Sequence, residues 1–228
     1  MPSRDRIFSR IRHNLGRGPL EGEAAQALKA RIEGHAPNIV PKRTNIPHKE
    51  QVNLFQAKAE ALAATVARIS SFDDVPEALR DYLTAHNLAT RIKMSPDKSL
   101  DSLPFDKTPM LEIKRGAAAP EDEVSLTPAF AGIAETGTLC MASSPETPST
   151  LNFLPENHVV VIKASQITGT LEDSWERLRK TYGAGNLPRT VNFISGPSRT
   201  ADIEQTLIMG AHGPRRLHIL IVDDGPQD

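Results

Sequence analysis

Three short polar stretches hold most of the residues in this chain that could do chemistry. The longest is Ser195-Gly196-Pro197-Ser198-Arg199-Thr200-Ala201-Asp202-Ile203-Glu204. Two serine hydroxyls, free backbone amides and the Arg199 guanidinium are donors of the kind that hold a phosphate or carboxylate. Gly196 allows positive φ and Pro197 fixes φ while removing a donor, so together they set a tight turn. Thr200 fits a helix N-cap, with Asp202 and Glu204 in the first turn, where the helix dipole favours negative charge. On this reading Ser195, Gly196, Ser198, Arg199, Thr200 and Asp202 are candidate ligand-binding residues. The two acids oppose it, because they occupy part of the positive helix end themselves. A well-capped connection whose serines satisfy only backbone groups explains the same residues, and spacing leaves both readings open.

The second stretch is Gly132-Ile133-Ala134-Glu135-Thr136-Gly137-Thr138-Leu139. Gly137 between two threonines suggests backbone turned toward a ligand, which makes Thr136, Gly137 and Thr138 candidate contacts. Glu135 is a candidate catalytic base or hydrogen-bond acceptor. A turn entering a strand accounts for the threonines equally well. In the third, Gly210-Ala211-His212-Gly213-Pro214, Gly210 can close a helix and His212 projects from the loop as a candidate proton carrier. The alternative is a histidine bonded to a neighbouring carbonyl. No metal site is expected, since His212, His218, Asp202 and Glu204 lack a recognised ligand spacing. His218 reads as a core histidine within an apolar strand. Residues 152–157 form another loop, expected to line the same crevice.

Strands and helices must bring these loops to one rim of a sheet. Helical spacing runs through Phe55, Ala59, Leu62, Val66 and Ile69. A second helix is expected over 74–86, with Asp73 and Asp74 as cap candidates and Val75, Leu79, Tyr82 and Leu83 inward. Strands are expected at 89–94, 110–113, 123–127, 137–142 and 158–163. The last of these is apolar enough for a strand covered on both faces. Thr170 caps a helix over 170–182 that buries Leu171, Trp175, Leu178 and Tyr182. Strand 190–194, helix 201–209 and strand 217–222 follow. This order predicts an α/β protein: a three-layer α/β/α sandwich around a largely parallel, Rossmann-like sheet.

Before that domain, expected over 51–228, residues 1–50 read as a basic helix over 2–17 and an extended arm. The helix carries Ile7, Phe8, Ile11 and Leu15 as a stripe among Arg4, Arg6, Arg10, Arg12 and Arg17. A weak helix is expected over 23–33. The helix could dock on its own domain, on a second copy in a homodimer, or on a partner. Absence of an apolar signal region or an eighteen-residue apolar run predicts a soluble, cytoplasmic protein. Net charge is −1, which argues against general nucleic-acid affinity. Cys140 is the single cysteine. It excludes an internal disulfide and a cysteine-ligated iron–sulfur cluster built by this chain alone, which takes about four thiolates.

Ala134-Glu135-Thr136-Gly137-Thr138, the 195–204 stretch and Gly210-Ala211-His212-Gly213-Pro214 together resemble the lactate utilization protein C family, whose fold is the LUD domain. Leu154-Pro155-Glu156-Asn157-His158 and Ser3-Arg4-Asp5-Arg6-Ile7 add to the likeness. It covers most of the chain, is densest over 124–223 and weakest over 18–50; Ala211 stands where a valine is expected. The resemblance implies a subunit of a bacterial L-lactate oxidation system with no cofactor of its own, working with partner subunits that carry iron–sulfur clusters. It implies a fold similar to sugar-phosphate isomerases and CoA-transferases, which place phosphorylated or CoA-linked ligands at the carboxyl ends of strands. No catalytic residue carries over with the fold. Three functions therefore stand: a subunit holding an anionic substrate or phosphorylated cofactor, a non-catalytic assembly or regulatory module, and a stand-alone transferase or isomerase.

Overall fold

The computed structural model describes residues 3–200, 208–210 and 212–225. The chain divides into two compact units, Met1–Ile39 and Val40–Asp228. The first holds α1 (Ser3–Asn14) and α2 (Gly22–Gly34), neither of which contributes a buried residue. Asp5 opens α1 while Arg12 and His13 close it, the charge order that the helix dipole favours. The helix expected over 23–33 is a full one: Ala24, Ala25, Ala27 and Ala30 give α2 strong intrinsic propensity.

The second unit begins with a 3-10 turn at Lys42–Thr44 and α3 (His48–Ala61), then β1 (Thr65–Ile69), α4 (Val75–Ala85), β2 (Arg91–Met94) and β3 (Glu112–Arg115). After these come β4 (Val124–Pro128), β5 (Ala131–Ile133), β6 (Thr138–Ala142), α5 (Thr150–Phe153), β7 (Asn157–Lys163) and β8 (Ile167–Thr168). The chain continues through α6 (Leu171–Tyr182), β9 (Val191–Ile194), β10 (Arg199–Thr200), β11 (Ile208–Met209) and β12 (Arg216–Val222).

Six strands form one parallel sheet in the order β1-β12-β7-β4-β2-β3. Its central strands are buried on both faces, which is why β7 and β12 read as unbroken apolar runs. On one face Val159, Val161, Leu126 and Leu220 pack with Leu79 and Leu83 of α4. On the other, Val160, Ile162, Ile219 and Ile221 pack with Phe55 and Ala59 of α3 and with Leu139 and Met141 of a second sheet. That sheet has the order β8-β5-β6-β9, and α6 covers it through Leu178 against Ala131 and Cys140. The result is the expected α/β architecture: a large parallel sheet flanked by helices, consistent with a three-layer, Rossmann-like fold.

Several expectations need correcting. The helical spacing does not continue into Val66 and Ile69: α3 ends at Ala61, and Ala63 turns the chain at positive φ into β1. The Thr65-Val66-Ala67-Arg68-Ile69 segment has two β-branched residues near its start and gains a full ladder on β12, which overrides the spacing. The helix expected over 201–209 lies mostly on residues 201–207, outside the described residues. At its far end Ile208–Met209 is a strand, antiparallel to Arg199–Thr200. Thr200 is a ladder partner of Ile208, and the helix it is expected to cap starts on residues outside those described. Thr170 does cap α6, in a capping box with Asp173, but Leu171 is exposed while Leu178 is buried. The short strands β5 and β8 lie in stretches the sequence reads only as loop.

Candidate functional site

Two cavities open between the large sheet and the second sheet, one at each end of the parallel strands. The amino-rim cavity, of about 230 Å³, gathers much of what the sequence singles out: Ser195, Gly196, Ser198 and His212 line it together with Asn152 and His158. The loop after β9 and the loop before β12 are locked together. The Ser198 amide donates to the Pro214 carbonyl at 2.8 Å and the Gly210 amide to the Ser198 carbonyl at 2.9 Å. The His212 amide donates to Ser198 Oγ at 3.2 Å. Thr138 and Ser195 join through their hydroxyls at 2.7 Å, and Thr136 joins Thr138 at 2.8 Å.

The other expected residues go elsewhere. Arg199 donates through its guanidinium to the Leu62 carbonyl at the end of α3, which is what a cation at a helix C-terminus does. Gly137 has φ +65° and lies against the backbone of Lys58 and Ala59, so it meets α3 and does not present its backbone to a ligand. Gly196, at φ +85°, touches the Leu62 carbonyl in the same way. Both are glycine because a Cβ at either position would overlap helix backbone. The Glu135 amide donates to the Gly169 carbonyl at 3.0 Å, and Glu135 Oε2 is buried without a hydrogen-bond partner. Glu135 and Arg199 line neither cavity. Asp202 lies outside the described residues. The three stretches thus meet in pairs, and Arg199–Thr200 of the 195–204 stretch forms a two-stranded ribbon with Ile208–Met209, while residues 201–204 lie outside the described residues.

His158, which the sequence places only at the head of an apolar strand, is the polar centre of the amino rim. It is 1% exposed, and its Nε2 lies 2.8 Å from Thr127 Oγ1 on β4. Its Nδ1 has no hydrogen-bond partner. Burial pushes its pKa down to about 3, so the ring is neutral near pH 7. Register explains the pairing: Ser125 and Thr127 on β4 share a face with His158 and Val160 on β7. Ser125 Oγ donates to the Leu151 carbonyl at 2.7 Å and ties α5 to this face.

The carboxyl-rim cavity is larger, about 580 Å³, within the roughly 300–1,000 Å³ of small-molecule and cofactor sites. It sits at the ends of β4 and β7, where open parallel sheets place ligands. Thr127 and Pro128 on β4, Lys163 on β7, Met141 and Ala142 on β6, and Arg177 and Tyr182 on α6 contribute to its wall. Two acids and two cations face it. Asp97 accepts from the Ser99 amide at 2.8 Å and the Ser99 hydroxyl at 2.6 Å. Asp224 accepts from Ser165 at 2.9 and 2.6 Å. Partial burial works against ionising Asp224, but these bonds hold its pKa below the ordinary value. The cations are held by rings: Lys163 Nζ lies 5.9 Å from the Phe72 ring centre and the Arg177 guanidinium 5.5 Å from that of Phe130. Arg177 also donates to the Gln166 carbonyl at 3.4 Å. Neither cation lies within 4.0 Å of a carboxylate among the described residues, although the Lys163 charge helps lower the pKa of Asp224. Asp97 is satisfied within its own loop and Asp224 by Ser165 of the turn after β7, and the cations retain donors for an anion. Sequence reasoning missed this site because its residues come from segments scattered between Phe72 and Asp224. The available signal was position: Asp97, Thr127, Pro128, Lys163 and Asp224 end or follow strands of the parallel sheet.

Comparison with known proteins agrees with this architecture. A crystal structure of a DUF162 family protein from Deinococcus radiodurans superposes with a TM-score of 0.56 over 78% of this chain and 99% of that one, at 19% identity. That likeness concerns the fold. A lactate utilization protein C from Geobacillus kaustophilus is 24% identical over 97% of both chains. One from Shouchella clausii is 35% identical, over 45% of this chain and 44% of its own length. The LUD domain model matches residues 52–222, from α3 to the end of β12, and so takes in both cavities and all strands of the parallel sheet. This chain belongs to the LUD domain family.

Proposed function

We propose that this protein is a subunit of a bacterial L-lactate utilization system and holds an anionic, phosphorylated cofactor in its carboxyl-rim cavity. Its partners on this reading are iron–sulfur subunits, which move the electrons. Likeness to lactate utilization protein C along nearly the whole chain supports the metabolic role. The observation that carries the site is the pair Lys163 and Arg177, which line one cavity, Lys163 with its charge felt by Asp224 of the same cavity and Arg177 over the Phe130 ring. Size decides between ligands. Lactate has about six heavy atoms and displaces roughly three or four waters at ~30 Å³ each, a small part of 580 Å³. A diphosphate-bearing cofactor of the nucleotide or CoA type fills the space. Its phosphates would meet Lys163 and Arg177. Cys140 is the only thiol and is buried, so the electron-carrying clusters fall to the partners.

Titration calorimetry with coenzyme A, ADP and L-lactate tests this. Coenzyme A or ADP is expected to bind, with L-lactate alone giving no measurable heat. A charge-assisted hydrogen bond contributes about 2 kcal/mol, so Lys163→Gln and Arg177→Gln should each weaken binding roughly thirty-fold. Binding unchanged in the double variant would place the ligand elsewhere. Absence of binding by any diphosphate would retire the cofactor reading.

A further inference from the structure

The amino-rim cavity has a different chemistry, and it is the cavity built from the stretches that stand out in the sequence. We propose that it is a second binding site, separate from the carboxyl-rim cavity, for a compact uncharged molecule with an apolar body and one amide or hydroxyl head that bonds His158 Nδ1.

Four observations carry this. First, no Asp, Glu, Lys or Arg among the described residues lines the cavity. Of the cations next to lining residues in sequence, the Arg199 guanidinium is engaged by the Leu62 carbonyl and Arg216 donates to Asn157 Oδ1 at 3.2 Å. An anion would enter without a countercharge, at a cost of several kcal/mol for an unpaired ion away from water. Second, the wall is apolar over much of its extent, with Phe153, Phe193, Ile194 and Leu217. Phe153 stays 41% exposed, while the Phe193 ring meets Trp175 of α6 edge-on with ring centres 5.3 Å apart. Third, His158 lines the cavity, is 1% exposed, and leaves Nδ1 without a partner. A buried ring nitrogen left unpaired costs about 1–3 kcal/mol, and a ligand head or a water is what meets it. Fourth, the volume of 230 Å³ equals about eight waters at ~30 Å³ each, which suits a molecule of one small ring or branched chain.

The site is also joined to the larger one. Asn152 of α5 lines both cavities, and Thr127, which lines the carboxyl-rim cavity, holds His158 Nε2. If Thr127 donates to Nε2, Nδ1 carries the proton and donates to the ligand; if it accepts, Nδ1 is the acceptor. Amides and hydroxyls serve both tautomers, which is why the head belongs to that class.

Histidine-selective nitrogen NMR on the full chain, titrated with benzamide, isobutyramide and phenol and with benzoate as the charged counterpart, tests the proposal. At least one uncharged probe should shift the His158 ring nitrogens saturably, and benzoate should bind at least tenfold more weakly than benzamide. Gly213→Leu, whose side chain starts 3.4 Å from Ser198 Cβ, should block the shift while leaving coenzyme A or ADP binding intact. His158→Gln should abolish the preference for uncharged probes; if that variant does not fold, Gly213→Leu and the probe series still decide. Benzoate binding as well as benzamide, or no saturable His158 shift with any probe, would overturn the proposal and leave the cavity a water site.

Discussion

His158 and His218 are both neutral histidines buried on the large sheet, and each links folding to pH. Burial pushes His158 to about 3. Burial, with His86 nearby, pushes His218 to about 4 despite its 2.8 Å hydrogen bond with Thr65 Oγ1. His218 also stacks on Tyr82, ring centres 4.0 Å apart, so a charged imidazole would lose both solvent and packing. In the unfolded chain both titrate near 6.5. Between the folded and unfolded values the unfolded state binds more protons, so their stabilisation is complete above about pH 7 and is lost as pH falls through that window. At pH 5 each should have cost about 2 kcal/mol. Urea unfolding at pH 7.5 and pH 5.0 should show a loss of about 4 kcal/mol, with about two protons taken up on unfolding at the lower pH. A flat profile would mean that one or both rings reach water in the folded state.

At the scale of elements, the C-terminal turn of α3 is where the polar loops are anchored. Gly137 and Gly196 lie on its backbone at positive φ, and Arg199 donates to its last free carbonyl. An added methyl at either glycine meets both left-handed strain and backbone overlap. Gly137→Ala and Gly196→Ala should each cost about 2–4 kcal/mol, whereas Thr136→Ala, on an exposed side chain, should stay within about 0.5 kcal/mol. Thermal or urea unfolding of the three variants checks this; a mild Gly137→Ala would mean that the hairpin tip stands off the helix. The same contact explains what the sequence made legible. Apolar runs such as β7 and β12, and the Thr170 cap of α6, are local signals, and all were readable. So was the importance of Gly137 and Gly196, but not its cause, because the helix they touch lies some eighty and more residues earlier in the chain. β1 was hidden by the accident that Val66 and Ile69 extend the α3 spacing. Lys163 and Arg177 carried no motif at all; only the fold makes neighbours of them.

For the molecule as a whole, the two units differ in what holds them. The first has helices without a single buried residue, while the second has its core on both faces of a six-stranded sheet. Removing residues 1–39 should therefore leave the melting temperature of the remainder within about 2 °C. Ile7, Phe8 and Ile11 of α1 are 44–55% exposed beside arginines, a composition suited to contact. On the assembly reading, the shortened chain should retain coenzyme A or ADP binding but fail to co-purify with iron–sulfur lactate-utilization subunits. Unchanged co-purification would remove that role from the arm. The strand order has a further bearing, on how the protein is made. β12 lies between β1 and β7, and Thr65 and His218, which it brings together, are 153 residues apart. At about 5–20 residues per second a ribosome takes roughly 8–30 s to cover that distance. Over the later part of it, once Lys163 has been made, the nascent chain carries β1 and β7 with their central partner still unmade, so an early-terminated product offers two strand edges to chaperones and to its neighbours on the polysome.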